Sequence, residues 1–437
     1  MKLNQIVVFF VMVMFFCTLL AFQPIDGGYS NRMGSPRLFK AGTTYAPCAS
    51  EMDMLLAYNH GSSIGHRYVH LYRLINFFVN LMHFNYDVGI VESEAHRQKD
   101  LIRRYCPEYL EELNGLACAT HIDVDRLIEL QVFLSSHLSC ECTITASTTP
   151  ATKYNQTFLT QNWDMPSSIL EFFIWRIFFV KTYYIHHQPS HYRYVFLGIP
   201  ILYEHPLLNE KGLGWGGTGT PVTSNISRQV DEGDGMPIYL LVRKTMMTCK
   251  NVSNVADLWR NTPRASSKHE VLPQDWDYDS YVFCDREGGI LMIEQTHSYL
   301  ATAFGTSTEL TGSHEGIVWH TNHHLWLDPL KTGSKPPSED YKSNASLIRA
   351  ERARELLEAS WGNITLEVCM NLTRDHGGGM NGTTADSADI CRHPDHLDET
   401  ATVLSWIIEP QSFSVYITEG YPCSTPFQHF NFSEEFQ

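Results

Sequence analysis

The two ends of residues 142–164 carry a thiol and a carboxylate, two groups that can act together in covalent catalysis. Cys142 begins one β-branched, apolar run and Asp164 ends another, and the stretch between them, with Pro150, is typical of a turn. In a hairpin these ends lie side by side, so that a nucleophile and a charged partner would meet through local contacts. The same spacing also fits a disulfide cysteine and a turn aspartate. These residues by themselves leave both interpretations open.

A serine offers a second candidate nucleophile. Ser63 lies in a Gly-Ser-Ser-Ile-Gly run that matches the nucleophile elbow of serine hydrolases, and His376 begins a His-Gly-Gly-Gly run like the oxyanion segment of lipases. In that fold the glycine segment precedes the nucleophile, whereas here it follows. No strand–helix–strand series surrounds Ser63. We therefore predict a glycine-rich turn before a helix, and the serine hydrolase remains an alternative to be tested.

Three histidines near residue 322 raise the question of a metal site. The spacing of His320, His323 and His324 fits neither one helix face nor a Cys/His finger, and the next carboxylate along the chain is Asp328. We therefore predict no metal and no other cofactor. The neutral amide of Asn322 is of more interest, because its N–H can stabilise an oxyanion without losing a proton.

The hydrophobic pattern divides the chain near residue 142. Residues 51–138 have apolar side chains at helical spacing, with Asp123 suited to cap a helix. Short strand-like runs follow, with hairpin signals at residues 287–289 and 409–411. The predicted strands are residues 158–161, 194–199, 281–284, 290–294, 317–320, 402–408 and 413–417. The predicted helices among them are residues 255–259 and 346–358, and the clearest loop is residues 331–339. This order indicates a layered α+β domain.

Two features of these segments stay ambiguous. Arg349 lies in the predicted helix 346–358 on a basic stripe, where its side chain is either solvated or paired with an anion. The apolar run 169–180 contains Glu171 and Arg176 and is too short for a membrane span, so it predicts a buried strand or the wall of an apolar pocket.

Composition and the N-terminus indicate the secretory pathway. A net charge of −16 disfavours nucleic acid and anionic membranes as partners. Lys2 followed by the apolar residues 6–22 predicts a cleaved signal peptide at residues 1–22 and no stable membrane span, with an uncleaved signal anchor as the alternative. Eight Asn-x-Ser/Thr acceptors predict glycosylation at Asn155, Asn225, Asn251, Asn344, Asn363, Asn371, Asn381 and Asn431. We expect a secreted or lysosomal protein in which most cysteines beyond Cys17 can pair.

Several segments, taken in order, resemble the acyl-coenzyme A:6-aminopenicillanic acid acyltransferase (isopenicillin-N acyltransferase) family, which includes β-alanyl-dopamine hydrolases. The matching pieces are the runs 142–146, 161–164, 209–213, 320–323, 346–349 and 390–395, followed by residues 402–403. The resemblance implies a four-layer αββα N-terminal-nucleophile hydrolase. It also implies a precursor that cuts itself before Cys142, giving a helical α chain (23–141) that partners a β chain (142–437). By the same resemblance Asp164 and Arg349 orient and polarise the nucleophile, and Asn322 is the oxyanion donor.

The chemistry of a terminal cysteine suits this expectation. A free α-amine titrates near ~8, so it can accept the proton of its own residue's thiol. In the precursor that nitrogen is locked in the Glu141–Cys142 peptide bond, and cleavage begins with attack of the Cys142 thiol on the Glu141 carbonyl. We predict an amidohydrolase or acyltransferase that takes a small amide or thioester, such as an N-acyl or β-alanyl amine, through a Cys142 acyl-enzyme. Relatives usually carry glycine where this chain has Glu141, so a non-catalytic glycoprotein that keeps the fold as a binding module is the alternative.

Overall fold

The N-terminal part of the chain is helical, as its hydrophobic spacing predicts. The computed structural model describes residues 50–82, 88–137, 141–166, 183–186, 191–220, 231, 233–265, 280–305, 314–327, 345–377, 388–393 and 400–437. Within them the first helices are α1 (Glu51–Arg67), α2 (Val69–Met82), α3 (Val88–Tyr105), α4 (Pro107–Thr120) and α5 (Val124–His137). Asp123 precedes α5, and its carboxylate accepts a hydrogen bond from the backbone N–H of Asp125 at 2.8 Å, as expected of a cap.

Strands begin at residue 141. They are β1 (Glu141–Ser147), β2 (Phe158–Pro166), β3 (Tyr183–His186), β4 (Tyr194–Ile199), β5 (Tyr203–Asn209), β6 (Leu213–Thr218), β7 (Ser280–Asp285), β8 (Ile290–Gln295), β9 (Leu300–Phe304), β10 (Ile317–His320), β11 (Thr400–Glu409), β12 (Ser414–Glu419) and β13 (Gln428–Asn431). The helices among them are α6 (Ile238–Thr248), α7 (Val252–Asn261), α8 (Ala345–Ala359) and α9 (Leu366–Thr373). A single 3₁₀ turn, Pro410–Ser412, joins β11 to β12.

The strands form two antiparallel sheets. The first has the order β10-β1-β2-β11-β12-β13, and the second has the order β3-β4-β5-β6-β7-β8-β9. The sheets face each other where β1 and β2 pack on β6 and β7. On the far side of the first sheet, α8 contacts β1 and β10, and α9 contacts β2 and β11. Helix α6 packs on β5 of the second sheet, and α7 packs on β7 and β8. The expected four-layer αββα sandwich of an α+β protein is therefore confirmed.

Every strand predicted from sequence within the described residues is present; most bounds differ by one or two residues, whereas the run 158–161 continues to Pro166. The runs 194–199 and 317–320 have the predicted bounds. The strand predicted at 413–417 begins at Ser414, because Phe413 has a left-handed backbone with φ of 52°. Strands β3, β5, β6, β9 and β13 were not predicted. The run 169–180 and the loop 331–339 lie outside the described residues, as do residues 1–22.

The glycine pattern around Ser63 serves helix packing, so the predicted turn is wrong. Ser63 is exposed in the middle of α1, where no strand-to-helix elbow exists. Gly61 faces α4, and a Cβ there would lie 1.9 Å from the carbonyl oxygen of Glu112. In the opposite direction, a Cβ on Gly115 would lie 2.0 Å from the carbonyl oxygen of Tyr58. The two helix backbones are therefore in direct contact, which only glycine permits at these positions.

A buried ion-pair network holds the helical region on the second sheet. Arg243 of α6 lies 2.6 Å from Glu112 of α4 and 3.3 Å from Glu204 of β5. Burial alone would raise the pKa of Glu112, but Arg243 and His60 hold it well below its usual range. Two phenols extend the contact: the Oη atoms of Tyr72 and Tyr109 donate to backbone carbonyls of the loop 200–201, each at 2.7 Å.

Candidate active site

The backbone nitrogen of Cys142 lies in a polar site built by distant segments. Cys142 is the second residue of β1 and is fully buried. Its N–H donates to Oδ1 of Asn322 at 3.0 Å, and its carbonyl oxygen accepts from Nη1 of Arg349 at 2.9 Å. Sheet pairing normally satisfies such backbone groups with other backbone groups. Here side chains from two later segments converge on one residue.

The contacts of Asn322 fix the orientation of its amide. Its Oδ1 accepts from Cys142 and also from Nη2 of Arg349 at 2.9 Å, and arginine can only donate. Its Nδ2 donates to the carbonyl oxygen of Gly219 at 2.7 Å. The amide oxygen therefore faces the Cys142 nitrogen and the amide N–H faces Gly219. The oxyanion-donor role stays a prediction, because it requires Nδ2 to exchange that partner.

Arg349 is buried rather than solvated, which decides the question left open by the sequence. Helix α8 lies against β1, and the guanidinium of Arg349 is fully buried there. Besides Cys142 and Asn322, its Nη1 reaches Oγ1 of Thr143 at 3.1 Å and lies 3.9 Å from Oδ2 of Asp164. A buried guanidinium requires such anionic and polar partners, because its desolvation is costly.

Asp164 reaches the site through Arg349 and Thr402, and its expected local meeting with the thiol needs correction. In the β1–β2 ladder Asp164 pairs with Glu141, while Cys142 pairs with Trp163. Neighbouring residues of a strand point to opposite faces, so the Asp164 carboxylate and the Cys142 thiol lie on opposite faces of the sheet. Oδ1 of Asp164 accepts from Oγ1 of Thr402 at 2.7 Å. The carboxylate thus balances the charge of Arg349 behind Cys142.

On the thiol's own face lies Gln161, which the sequence analysis did not single out. Its Nε2 donates to Sγ of Cys142 at 3.5 Å and to the carbonyl oxygen of Gly217 at 2.8 Å. Its Oε1 accepts from the backbone N–H of Gly217 at 3.1 Å. The period-two alternation of β2 could have found it, because Gln161 shares a face with Trp163, the ladder partner of Cys142.

The histidines around Asn322 are bound to protein groups that shape its loop. Nε2 of His320 lies 3.1 Å from Glu294, and Nδ1 of His323 lies 2.8 Å from Oγ of Ser346. The Glu294 carboxylate also accepts from the backbone N–H groups of residues 325–327. Burial would raise the pKa of Glu294, but His320, His324 and the backbone N–H of Leu325 lower it to about 2. Burial lowers the pKa of His323 to about 3, so it stays neutral and unavailable as a cation.

An aromatic cluster joins the two sheets beside the thiol. The ring of His205 on β5 lies 4.8 Å from Trp163, 4.8 Å from Trp215 and 4.9 Å from Trp406. Burial lowers the pKa of His205 to about 3. The cluster therefore gives the thiol-facing side an apolar, uncharged wall.

Eight cysteines and five of the predicted glycosylation acceptors lie among the described residues. No disulfide joins any two of the eight described cysteines. Among the described acceptors Asn155, Asn363, Asn371 and Asn431 are exposed, and Asn251 is half-buried at the N-cap of α7. Asn225, Asn344, Asn381, Cys140 and the Glu141 side chain lie outside what the structure describes. Glycosylation stays a prediction.

Residues 151–420 match the family of acyl-coenzyme A:6-aminopenicillanic acid acyl-transferases, which is more than half of the chain. The chain belongs to this acyltransferase family. The family consists of amide hydrolases and acyltransferases with an N-terminal cysteine nucleophile, so the chain is an enzyme of that class. Asp164, Asn322 and Arg349 fall inside the matched region, whereas Cys142 precedes it.

Solved structures give weaker similarities. A variant of conjugated bile acid hydrolase from Clostridium perfringens is 17% identical with a TM-score of 0.41, over 67% of this chain and 93% of its own. Penicillin V acylase from Agrobacterium tumefaciens is 13% identical with a TM-score of 0.38, over 67% of this chain and 87% of its own. No curated protein matches the chain. The assignment to the acyltransferase family therefore depends on the family match alone.

None of the helices in the described part of the chain is both long enough and apolar enough to cross a bilayer.

Proposed function

We propose that this acyltransferase-family enzyme is a self-processing amidohydrolase whose nucleophile is Cys142. In this proposal the chain is cut between Glu141 and Cys142, and the freed amine and thiol of Cys142 act together. The substrate is a small non-peptide amide, an N-acyl or β-alanyl amine, and the acyl group passes through a Cys142 thioester to water or to an amine.

One observation carries the proposal: the Cys142 nitrogen donates to Asn322 Oδ1 at 3.0 Å while Arg349 holds the adjacent carbonyl at 2.9 Å. A buried backbone N–H in a strand usually donates to a carbonyl oxygen of a neighbouring strand, whereas this one donates to a side chain that is itself held by Arg349. Such a contact suits an N-terminal nucleophile, because that nitrogen becomes the amine that takes the thiol proton and must be held in place. Arg349 also favours the unprotonated amine, since a nearby positive charge disfavours a second one.

Self-cleavage follows from the same arrangement. The thiol gives up its proton, Sγ attacks the carbonyl carbon of Glu141, and the Glu141–Cys142 C–N bond breaks as the nitrogen takes a proton. Water then hydrolyses the thioester, leaving a carboxylate on Glu141 and a free thiol on Cys142. The complete burial of Cys142 supports this sequence of events, because bulk substrate cannot reach the thiol of the uncut chain.

In turnover, Cys142 Sγ attacks the substrate carbonyl and the Cys142 amine receives the thiol proton. That proton passes to the leaving amine when the C–N bond breaks, and water or an acceptor amine then resolves the thioester. Gln161 is placed to donate to the sulfur when it carries charge, since its Nε2 lies 3.5 Å away.

Processing separates this proposal from the alternative, a secreted glycoprotein that keeps the fold as a binding module. The purified chain is subjected to N-terminal sequencing and intact-mass measurement, next to Cys142→Ala and the exposed control Cys118→Ala. We expect wild type and Cys118→Ala to give a chain that starts at Cys142 and to hydrolyse a panel of N-acyl and β-alanyl amines. We expect Cys142→Ala to stay whole. Cleavage of Cys142→Ala at the same bond overturns self-processing by this thiol, and a whole, inactive wild type supports the binding module.

The proposal places the enzyme in the secretory lumen, as a secreted or lysosomal protein. The predicted signal peptide supports this, and so does the exposure of four acceptor asparagines. Secretion of a glycosidase-sensitive protein from expressing cells is the expected result, and an unglycosylated cytosolic product contradicts it.

A further inference from the structure

A cluster of two histidines and two cysteines lies outside the proposed active site, on the loops that follow α9 and β12. One nitrogen or sulfur from each of His376, Cys391, His393 and Cys423 falls within 4.8 Å of all the others. Nε2 of His393 lies 3.4 Å from Sγ of Cys391 and 3.1 Å from Sγ of Cys423. The four residues come from three separate segments, so chain proximity alone does not explain their convergence.

We propose that these four residues bind a zinc ion. Tetrahedral zinc has Zn–S distances of about 2.3 Å and Zn–N distances of about 2.0–2.1 Å, which places neighbouring ligand atoms about 3.3–3.8 Å apart. The two N–S distances of this cluster are close to that range before any adjustment. Two thiolates and two imidazoles are a donor set typical of structural zinc, with no coordination position left for substrate. Binding releases the two thiol protons, and the thiolate charges balance the ion.

The surroundings of His376 support a metal rather than a chance cluster. Its Nδ1 is buried and makes no hydrogen bond among the described residues, but it lies 3.5 Å from Oδ2 of Asp389, a fully buried carboxylate. Histidines that bind zinc commonly direct their second nitrogen to a carboxylate, which fixes the tautomer and orients the ring. His393 is also held in place, because Tyr421 stacks on its ring with centroids 3.8 Å apart.

Hydrogen bonds preorganise the segments that carry the ligands. The backbone N–H of Cys391 donates to the carbonyl of Asp375 at 3.0 Å, and Arg374 donates to the carbonyl of Pro422 at 3.0 Å. Arg352 of α8 holds the Asp375 carboxylate with two hydrogen bonds of 2.8 and 2.9 Å. The loop after α9 is thereby joined to both cysteine-bearing segments without the ion.

The site adjoins the support of Asp164. Arg392, the residue between two of the ligands, donates its backbone N–H to Oγ1 of Thr402 at 2.9 Å. The same hydroxyl donates to Asp164 at 2.7 Å. Zinc would therefore anchor the segment that positions Thr402, although the ion itself takes no part in the reaction.

The test uses the full chain and does not depend on activity. Zinc per chain is measured by elemental analysis after dialysis against zinc-free buffer, for wild type, Cys423→Ser and the control Cys118→Ser, in which another exposed cysteine is changed. We expect one zinc per chain in wild type and Cys118→Ser and a loss of most of it in Cys423→Ser. Exchange of the ion for Co²⁺ should give the visible absorption of a tetrahedral thiolate site. A chelator should lower the melting temperature of wild type to about that of Cys423→Ser and should leave the melting temperature of Cys423→Ser unchanged.

A disulfide between Cys391 and Cys423 is the competing chemistry in an oxidising lumen. It would give a wild-type mass lower by two hydrogen atoms, a Cys391–Cys423 peptide after digestion without reduction, and no zinc. That result overturns the proposal, as does an equal zinc content in wild type and Cys423→Ser.

Discussion

The amide oxygen of Asn322 lies 3.0 Å from the backbone nitrogen of Cys142, although 180 residues separate them in the chain. The same oxygen accepts from Arg349, so one atom joins the proposed nucleophile to its buried cation. This contact is present in the intact chain. Under the self-processing proposed above, the site is therefore already assembled in the precursor, with the Glu141–Cys142 peptide bond as the remaining barrier.

Two substitutions at Asn322 separate its two roles. Asn322→Asp keeps an oxygen for the Cys142 nitrogen but lacks the N–H donor, whereas Asn322→Leu lacks both. We expect Asn322→Asp to be cut and then to turn over about 10²–10³-fold more slowly, the usual cost of losing one oxyanion donor. We expect Asn322→Leu to remain uncut. Intact mass and kcat on a processed sample measure the two effects, and a wild-type kcat in Asn322→Asp would remove the oxyanion role.

Arg349 should be essential to both fold and site. Replacing it with methionine leaves the Asp164 carboxylate buried without its cation, so we expect a loss of about 3–5 kcal/mol in the free energy of unfolding. Arg354 lies on the same helix with surface ion pairs to Glu351 and Glu358. Arg354→Met should therefore change the free energy by no more than about 0.5–1 kcal/mol. Urea unfolding followed by fluorescence measures both, and equal effects would contradict the buried pairing.

How far the sequence predicted the fold depended on how each strand buries its side chains. Runs of β-branched and aromatic residues, such as β4 and β10, were placed correctly because continuous burial favours those types. Strands β5 and β6 were missed because Pro206 and three glycines occur in them. The glycines have a packing cause: a Cβ on Gly216 would lie 2.3 Å from Oε1 of Gln161 on the facing sheet. Contact between sheets is not visible in a strand's own sequence.

Some residues of the candidate site could likewise be predicted from local sequence pattern, whereas others depend on how distant elements pack. Local pattern placed Cys142 and Asp164 at the ends of one hairpin, and the ladder confirms that neighbourhood while offsetting the pair by one residue. The burial of Arg349 and its contact with Asn322 could not follow from helix periodicity, because both depend on how α8 docks on the first sheet. The contacts among His376, Cys391 and Cys423 could not be predicted from the sequence either, because they depend on how the loops after α9 and β12 meet.

After the proposed cleavage, the ion pair of Glu112 with Arg243 should keep the helical region attached to the second sheet. Glu112→Gln removes one of the two carboxylates that pair with Arg243 among the described residues and leaves Glu204, so we expect the two processed chains to separate at a lower urea concentration. Glu92→Gln, on the exposed surface of α3, is the matched control and should behave as wild type. Size-exclusion chromatography of the processed protein at increasing urea measures the separation. Because the pKa of Glu112 is lowered in the fold, its contribution is present above about pH 4.5 and decreases as the pH falls.

The close contact of α1 and α4 predicts a large effect for a substitution at Gly61 and no effect for one at Ser63. Gly61→Ala forces a Cβ against the Glu112 carbonyl, and we expect a loss of about 1–3 kcal/mol or more in the free energy of unfolding. Ser63→Ala changes an exposed side chain and should leave both stability and any esterase activity unaltered. Thermal unfolding and an ester assay measure the pair. Loss of esterase activity in Ser63→Ala would restore the serine-hydrolase alternative.

His205 should make the fold sensitive to acid in the range where lysosomal proteins work. Its pKa is lowered to about 3 by burial among Trp163, Trp215 and Trp406, so the folded protein keeps it neutral while the unfolded chain binds a proton below about pH 6.5. The unfolded state is thus favoured as the pH falls. This residue should lower the free energy of unfolding by about 1.4 kcal/mol per pH unit between pH 6.5 and 3.

His205→Phe replaces the imidazole with an apolar ring that does not titrate. The substitution costs no hydrogen bond at Nε2 of His205, because that atom has no hydrogen-bond partner among the described residues. Denaturant unfolding at pH 7, 6, 5 and 4 should show a smaller slope for His205→Phe than for wild type or for His66→Gln, an exposed change on α1. Parallel curves for all three proteins would show that the buried imidazole does not carry this acid sensitivity.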